Sequence, residues 1–347
     1  MTDSHRILMT GHRGYLGSVM ARHLVEAGYD VTGLDTGYFD ACTLVPDAIS
    51  VRTIGKDIRD VTPADLIGYG AVIHLAALSN DPVGNLNDAW TEAINFESSS
   101  RLAQLARDAG VRRFLFSSSC IMYGVAQAAV ATEESPLNPQ TEYARSKVKA
   151  EQAIRTLASD SFSPTFLRNG TVYGLSPRMR FDTVLNNLVG HAVATGRVTV
   201  HSDGTPWRPV LHVEDVARAF RAVLEAPHHL IHNEAINIGA NHLNHRIRDL
   251  AEIAVEAVPG ATFDIVAEPD ADQRTYRADF TKFAKSFPSF EFRWTARRGA
   301  SQLADCFRAV RLQQRDFTDK RFTRLTWLHH LIDTGRLDVS LRWRPAH

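Results

Sequence analysis

Tyr143 and Lys147 stand four residues apart in a stretch with a helical pattern. In a helix that spacing puts both side chains on one face. A free phenol ionises near pH ~10, and a neighbouring ammonium favours the phenolate, which gives a general base usable near neutral pH. Upstream, Ser117-Ser118-Ser119-Cys120-Ile121-Met122-Tyr123-Gly124 closes an apolar run. A hydroxyl there, Ser119, could hold the substrate oxygen that Tyr143 deprotonates. Tyr-x-x-x-Lys spacings are also common on solvated helix faces, so the motif gains its weight from the elements around it.

Those elements begin at the N-terminus. Arg6 to Thr10 reads as an apolar strand, followed by Thr10-Gly11-His12-Arg13-Gly14-Tyr15-Leu16-Gly17 and an amphipathic helix to about Ala27. Gly28 stops the helix, and Val31 to Asp35 forms a second strand. In this setting Gly11 allows a tight turn, Gly14 lets the backbone approach a pyrophosphate, and Gly17 lets the helix pack on the strand. The helix start, with Tyr15 and Leu16, offers unpaired N–H groups to phosphate. Asp35 would accept hydrogen bonds from ribose hydroxyls and repel a 2′-phosphate, which favours NAD. Arg13 could reach a 2′-phosphate, so NADP stays open.

Alternation continues with a strand from Ser50 to Ile54, a buried strand from Ala71 to Leu75, and a long helix from Trp90 to Ala109 stopped by Gly110. A strand from Arg113 to Ser117, the helix from Thr141 to Leu157 and a strand from Pro164 to Arg168 come next. Asp57 and Ile58 suit an adenine edge and face, and the small Ala76-Ala77 after Leu75 lets a dinucleotide lie close to the backbone. Asn95, in mid-helix, signals a side-chain hydrogen bond or an exposed face. The pattern predicts an α/β fold, a Rossmann-type doubly wound parallel sheet with ligands at the carboxyl ends of its strands. The glycine turn, Asp35, Ala76, Ser117, Ser119 and Arg168 fall at such ends.

After about residue 170 the alternation loosens into short strands and helices, which predicts a smaller C-terminal substrate-binding lobe over 171–347, interleaved with the sheet of residues 1–170. From Gln302 onward the chain reads as helical, rich in Arg and aromatics, and covers the cleft or packs on another subunit. Lys plus Arg equals Asp plus Glu at 39 each, without the basic excess of a general nucleic-acid-binding surface. No apolar run reaches membrane-spanning length. The polar Met1 to Arg6 gives no signal-peptide pattern, and Cys42, Cys120 and Cys306 are too scattered for a thiolate metal site. The expected setting is a reducing cytoplasm, with no metal; the cluster His228, His229, His232 has no carboxylate or cysteine at ligand spacing.

Together, Gly11/Gly14/Gly17, the Tyr143/Lys147 pair, Ser119 four residues before Tyr123, and Trp207-Arg208-Pro209-Val210-Leu211-His212-Val213-Glu214-Asp215 resemble the extended short-chain dehydrogenases/reductases of the nucleotide-sugar epimerase/dehydratase type. The resemblance implies bound NAD(P), with Tyr143 as base, Lys147 on the nicotinamide ribose and Ser119 on the reacting hydroxyl. It implies that Arg208 meets the diphosphate of a nucleotide sugar, a role that suits a guanidinium fork. Ser79, Asn169, Thr171, Arg178 and Arg180 are further substrate-side candidates. Dehydratases of this type carry Asp-Glu after the catalytic Ser/Thr; here Cys120 and Ile121 stand there, which favours a 4-epimerase acting through a transient keto-sugar. Cys120 keeps a 3,5-epimerase, a ketoreductase or an unusual dehydratase in view, because a thiol can shuttle protons if its environment lowers its pKa. A non-catalytic dinucleotide sensor is the more distant alternative. Similar enzymes are usually homodimers joined through helices, here at 90–109 and 141–157.

Overall fold

The computed structural model describes residues 5–79, 87–124, 130–268 and 275–345. Seven parallel strands form the main sheet: β1 (Arg6–Thr10), β2 (Asp30–Asp35), β3 (Arg52–Gly55), β4 (Ala71–His74), β5 (Arg113–Ser119), β6 (Ser163–Asn169) and, much later in the chain, Glu234–Ile238. Its order is β3-β2-β1-β4-β5-β6 with Glu234–Ile238 outermost beside β6. The chain direction across the sheet reverses between β1 and β4, which is where a doubly wound sheet opens a crevice for ligands.

Both faces are covered, and the strands show why. Ile7 and Met9, Ile73, Leu115 and Leu167 fall in one core, with Val19, Met20 and Leu24 of α1 (Tyr15–Glu26). Leu8, Val72, Phe114, Phe116 and Phe166 fall in the other, with Leu102 and Ala106 of α2 (Ser98–Asp108) and Ala150 and Ile154 of α3 (Glu142–Arg155). Successive residues alternate between cores because successive side chains of a strand point to opposite faces.

The stretch expected as one long helix from Trp90 to Ala109 is helical throughout but not uniformly α. Asp88–Thr91 leads into a wide π turn over Glu92–Glu97, and α2 follows. The cause is Asn95, whose amide is drawn to backbone outside the helix. Leu78 N donates to Asn95 Oδ1 at 2.8 Å, and Asn95 Nδ2 donates to Leu78 O at 3.0 Å and to Ser146 Oγ at 3.2 Å. Strand β5 runs two residues further than expected, so Ser119 is its last residue and caps a 3₁₀ turn over Cys120–Tyr123.

The later chain supplies β7 (Thr171–Tyr173), β8 (Arg197–Val200), β9 (Trp207–His212), β10 (Glu234–Ile238), β11 (Asn244–Arg246) and β12 (Thr262–Ile265). Strand β9 pairs with β7 in parallel and β11 in antiparallel fashion, and β8 pairs with β12. Between them lie α4 (Val184–Thr195), α5 (Val213–Glu225) and α6 (Ile247–Glu256), and then come α7 (Ala296–Ala309) and α8 (Arg324–Asp333). The helical tail thus starts six residues earlier than expected. Beyond α8 it turns back on itself, with Leu337 and Leu341 fully buried against the core that holds Leu34 and Ile58.

Candidate active site

One cavity of about 600 Å³ runs along the carboxyl ends of the strands, from Asp35, Asp57 and Ile58 past Gly11, Gly14 and Ala76 to Ser119, Tyr143 and Lys147. The glycine turn explains its floor. Gly11 has φ +74°, and a Cβ there would lie 2.7 Å from Ala76 N. A Cβ on Gly17 would lie 2.1 Å from Gly11 O, so α1 packs where only glycine fits. Gly14 caps α1 without a side chain, and the first turn holds no acid. The N–H groups there keep their capacity for an anion.

Asp35 closes the tip of β2. Its carboxylate accepts from Arg13 N at 3.0 Å and Gly37 N at 2.8 Å. Burial pushes its pKa up, and those two N–H groups pull against it. Tyr15, Leu16, Leu75, Ala77 and Ser117 line the same cavity. A glycine cradle, an acid at the second strand tip and a helix start without an acid fit a dinucleotide laid along the crevice.

At the other end Thr141 caps α3, its hydroxyl accepting from Ala144 N at 3.2 Å, so Tyr143 sits in the first turn and Lys147 one turn deeper. Lys147 Nζ donates to Ser117 O at 2.8 Å and lies 4.6 Å from the Phe116 ring centre and 5.9 Å from that of Tyr143. Burial pulls the ammonium down to about 8, against the pull of Glu151. Nearby His74, taken down to about 3 by burial and by Lys147, bridges Thr10 Oγ1 at 2.6 Å and Ser99 Oγ at 2.8 Å. It is a neutral brace between β1, β4 and α2. Ser119 Oγ accepts from Ile121 N at 3.3 Å, and Asn169 Nδ2 donates to Ser117 Oγ and Ser118 O, each at 3.2 Å.

Ser79, Asn169, Thr171, Arg180 and Arg208 also face this cavity. Four expected residues are engaged differently. Arg13 pairs with Asp40 at 2.7 Å and Arg178 with Asp47 at 2.8 Å, and neither lines the cavity. Arg168 turns instead to Glu151 at 2.8 Å and to Tyr123 Oη at 3.1 Å. The structure does not bring Cys120 to the cavity. The 3₁₀ turn rotates it into a cluster with Tyr123, Tyr276 and Phe280, where Sγ donates to Arg168 O at 3.2 Å and burial pushes the thiol up. Ile121 faces the cavity in its place. Asp57 lines the cavity, but its carboxylate is taken by Arg59 at 2.7 Å and Arg342 at 3.4 Å.

Other lining residues escaped the sequence reading: Tyr276, Asp182, Thr183 and Asn187 at the start of α4, and Arg324 at the start of α8. None sits in a recognisable motif. The one available signal was the run Arg178-Met179-Arg180-Phe181-Asp182, in which charges alternate with apolar residues just before a helix.

Among the described residues no group of three or more His, Cys, Asp or Glu could hold a metal ion, and no helix is long and apolar enough to cross a membrane. Comparisons with known proteins agree with the geometry. A UDP-glucose 4-epimerase of Bacillus subtilis is 27% identical over 335 residues, covering 87% of this chain and 96% of that protein. One from Corynebacterium glutamicum is 32% identical over 238 residues, covering 64% of this chain and 71% of that protein. The solved structure of MoeE5 in complex with UDP-glucuronic acid and NAD is 26% identical, with a TM-score of 0.74 over 88% of this chain and 99% of that chain. Residues 7–239 match the family model for the NAD dependent epimerase/dehydratase family. With that match laid over a glycine cradle, Asp35 and the Ser119–Tyr143–Lys147 group in one crevice, the chain is an enzyme of the NAD dependent epimerase/dehydratase family.

Proposed function

We propose that the enzyme is a nucleotide-sugar 4-epimerase that works through a transient 4-keto-sugar. Tyr143 takes the proton of the 4-hydroxyl, and Ser119 holds that oxygen. Lys147, charged and buried at their side, favours the phenolate. NAD, when bound, supplies the two-electron acceptance and return that a reversible alcohol oxidation needs. The glycine turn, Asp35, Ala76 and the Tyr143/Lys147 pair would hold it. Return of the proton from Tyr143 completes the inversion once the keto-sugar has turned over, and no further acid or base is required.

The observation that carries this reading is the placement of the two residues after Ser119. Ile121, which cannot move a proton, faces the cavity, whereas Cys120 is sequestered with its pKa raised by burial. That favours inversion at C4 over elimination or chemistry at C3 and C5. The substrate reading rests on Arg208, which lines the cavity with its guanidinium 5.7 Å from the Tyr276 ring centre, and on the UDP-glucose 4-epimerases among the relatives.

The test is to incubate the NAD-loaded protein with UDP-glucose and UDP-glucuronic acid and monitor the sugar ring by NMR. Inversion at C4 without added reductant supports the reading. A 4-keto-6-deoxy product, or stoichiometric consumption of NADPH, overturns it. A homodimer through the helical stretches at 90–109 and 141–157, and a cytoplasmic setting, belong to the same reading. Light scattering on the eluting protein tests the dimer.

A further inference from the structure

The crevice has a cationic wall facing the start of α1. Arg180 and Arg324 both line the cavity, and they are 8% and 3% exposed. Arg180 Nε pairs with Asp182 at 2.8 Å, Nη1 donates to Ser79 Oγ at 3.2 Å, and Nη2 is buried with no hydrogen-bond partner among the described residues. Arg324 Nη2 donates to Arg178 O at 2.8 Å and Nη1 to Arg321 O at 3.5 Å, and its guanidinium lies 4.3 Å from the Phe39 ring centre. Among the described residues no carboxylate forms an ion pair with the Arg324 side chain; Asp182 meets its backbone N–H instead, at 3.3 Å. Both arginines act electrostatically on Tyr15, the first residue of α1. Arg180 and Arg324 thus bring two buried guanidiniums to the cavity wall, with Asp182 paired to Arg180.

We infer that Arg324, together with Arg180, binds the diphosphate of the dinucleotide from the side opposite the glycine turn, so that the C-terminal helix α8 contributes directly to the cofactor site. Arg324 lies 85 residues beyond the end of the family match at residue 239, so the family motifs do not assign it this role. A guanidinium fork suits phosphate oxygens, and an anion would supply the missing countercharge. Isolated burial of a cation is costly, and here burial and Arg180 together pull Arg324 down to about 10. The position on Phe39, one residue from Tyr38 and four from Asp35, puts this charge beside the loop expected to hold the adenosine half. For Arg324 that favours the dinucleotide over the sugar nucleotide, whose expected contact is Arg208; Arg180, also expected on the substrate side and bonded to Ser79, reaches Tyr15 as well.

The inference rests on NAD being the cofactor, and its test separates the two. Arg324→Met and Arg324→Lys are stripped of nucleotide and titrated with NAD, ADP-ribose, adenosine and UDP by calorimetry, alongside the parent protein. The expected result is a loss of NAD and ADP-ribose affinity of about 10-fold or more in the Met variant, partial retention in the Lys variant, and unchanged adenosine and UDP binding. Thermal unfolding without ligand should change little, whereas the stabilisation by NAD should shrink. Equal weakening of adenosine means the Phe39 loop has merely moved, and selective weakening of UDP means the wall serves the sugar nucleotide; either overturns the inference. Should the Met variant fail to fold, the Lys variant and Arg180→Lys carry the same comparison, and unchanged NAD affinity in both overturns it. If the parent protein itself ignores NAD, the cofactor assignment fails first.

Discussion

At the scale of single residues, the proposed chemistry turns on the charge state of Lys147 and the phenol of Tyr143. Tyr143→Phe keeps the ring but removes the proton acceptor, so turnover should fall by about 10²–10⁴-fold with NAD affinity retained. A fall in NAD affinity of the same size would mean a structural role instead. Lys147 is cationic below about 8 and loses its proton above it. The phenolate loses its support as that happens, so kcat/KM of the NAD-loaded enzyme should decline on the alkaline side from about pH 8. In Lys147→Arg the charge persists, and the alkaline decline should move beyond about pH 10 even if the plateau is lower. A wild-type profile without that alkaline decline would contradict the assignment. Cys120 is the counterexample: a thiol one residue from Ser119 that the 3₁₀ turn has put in the core. Cys120→Ala should cost roughly 1 kcal/mol of stability and leave solvent-deuterium incorporation into the sugar unchanged.

At the scale of elements, the site depends on how neighbouring strand ends are held. The β1–α1 turn and the end of β4 touch through Gly11 and Ala76, with 2.7 Å available where a Cβ would go and a φ of +74°. Gly11→Ala must part these elements, and calorimetry should find NAD binding lost while the secondary-structure signal persists. The π turn before α2 does related work one strand over. Asn95 satisfies both backbone groups of Leu78, next to Ser79, so Asn95→Ala leaves a buried donor and acceptor unpaired. Its expected cost is roughly 1–3 kcal/mol in thermal unfolding; an unchanged Tm would show that water replaces the amide. These cases also show what could be read in advance. That the glycine turn, Asp35 and the Tyr143/Lys147 pair meet in one crevice was legible because each is a residue type at a fixed local spacing, set at the end of a strand or the start of a helix. The direction of Cys120 was not, since one residue of 3₁₀ geometry decides whether it or Ile121 meets the cavity. The π turn was hidden likewise, because Asn95 finds its partner in a loop 17 residues away in sequence.

At the scale of the whole molecule, the C-terminal segment packs on the end of the cavity that Thr36, Tyr38 and Asp57 line, through long-range contacts that local patterns could not announce. Trp327 Nε1 donates to Tyr38 O and Trp343 Nε1 to Thr36 O, each at 2.7 Å. Arg59 Nη1 donates to Ser340 O at 2.7 Å, Trp90 Nε1 to Val339 O at 2.8 Å, and Arg342 pairs with Asp57 and Asp60. Thr36, Tyr38 and Asp57 all line the cavity, so the tail fixes the loop after β2 and the turn after β3 from outside. A loop held in this way opens less often, and a cofactor beneath it should leave slowly. Trp343 is 39% exposed, so its loss removes a tie on Thr36 without opening the core, where Leu337 and Leu341 remain. Trp343→Ala should therefore unfold within a few degrees of the parent when free of nucleotide, yet release NAD several-fold faster. Displacement of bound NAD by excess ADP-ribose in stopped flow measures that rate. An unchanged release rate would mean that the loop is held by its own contacts, such as Leu44 N to Pro177 O and Arg13 to Asp40, and that the tail only covers it.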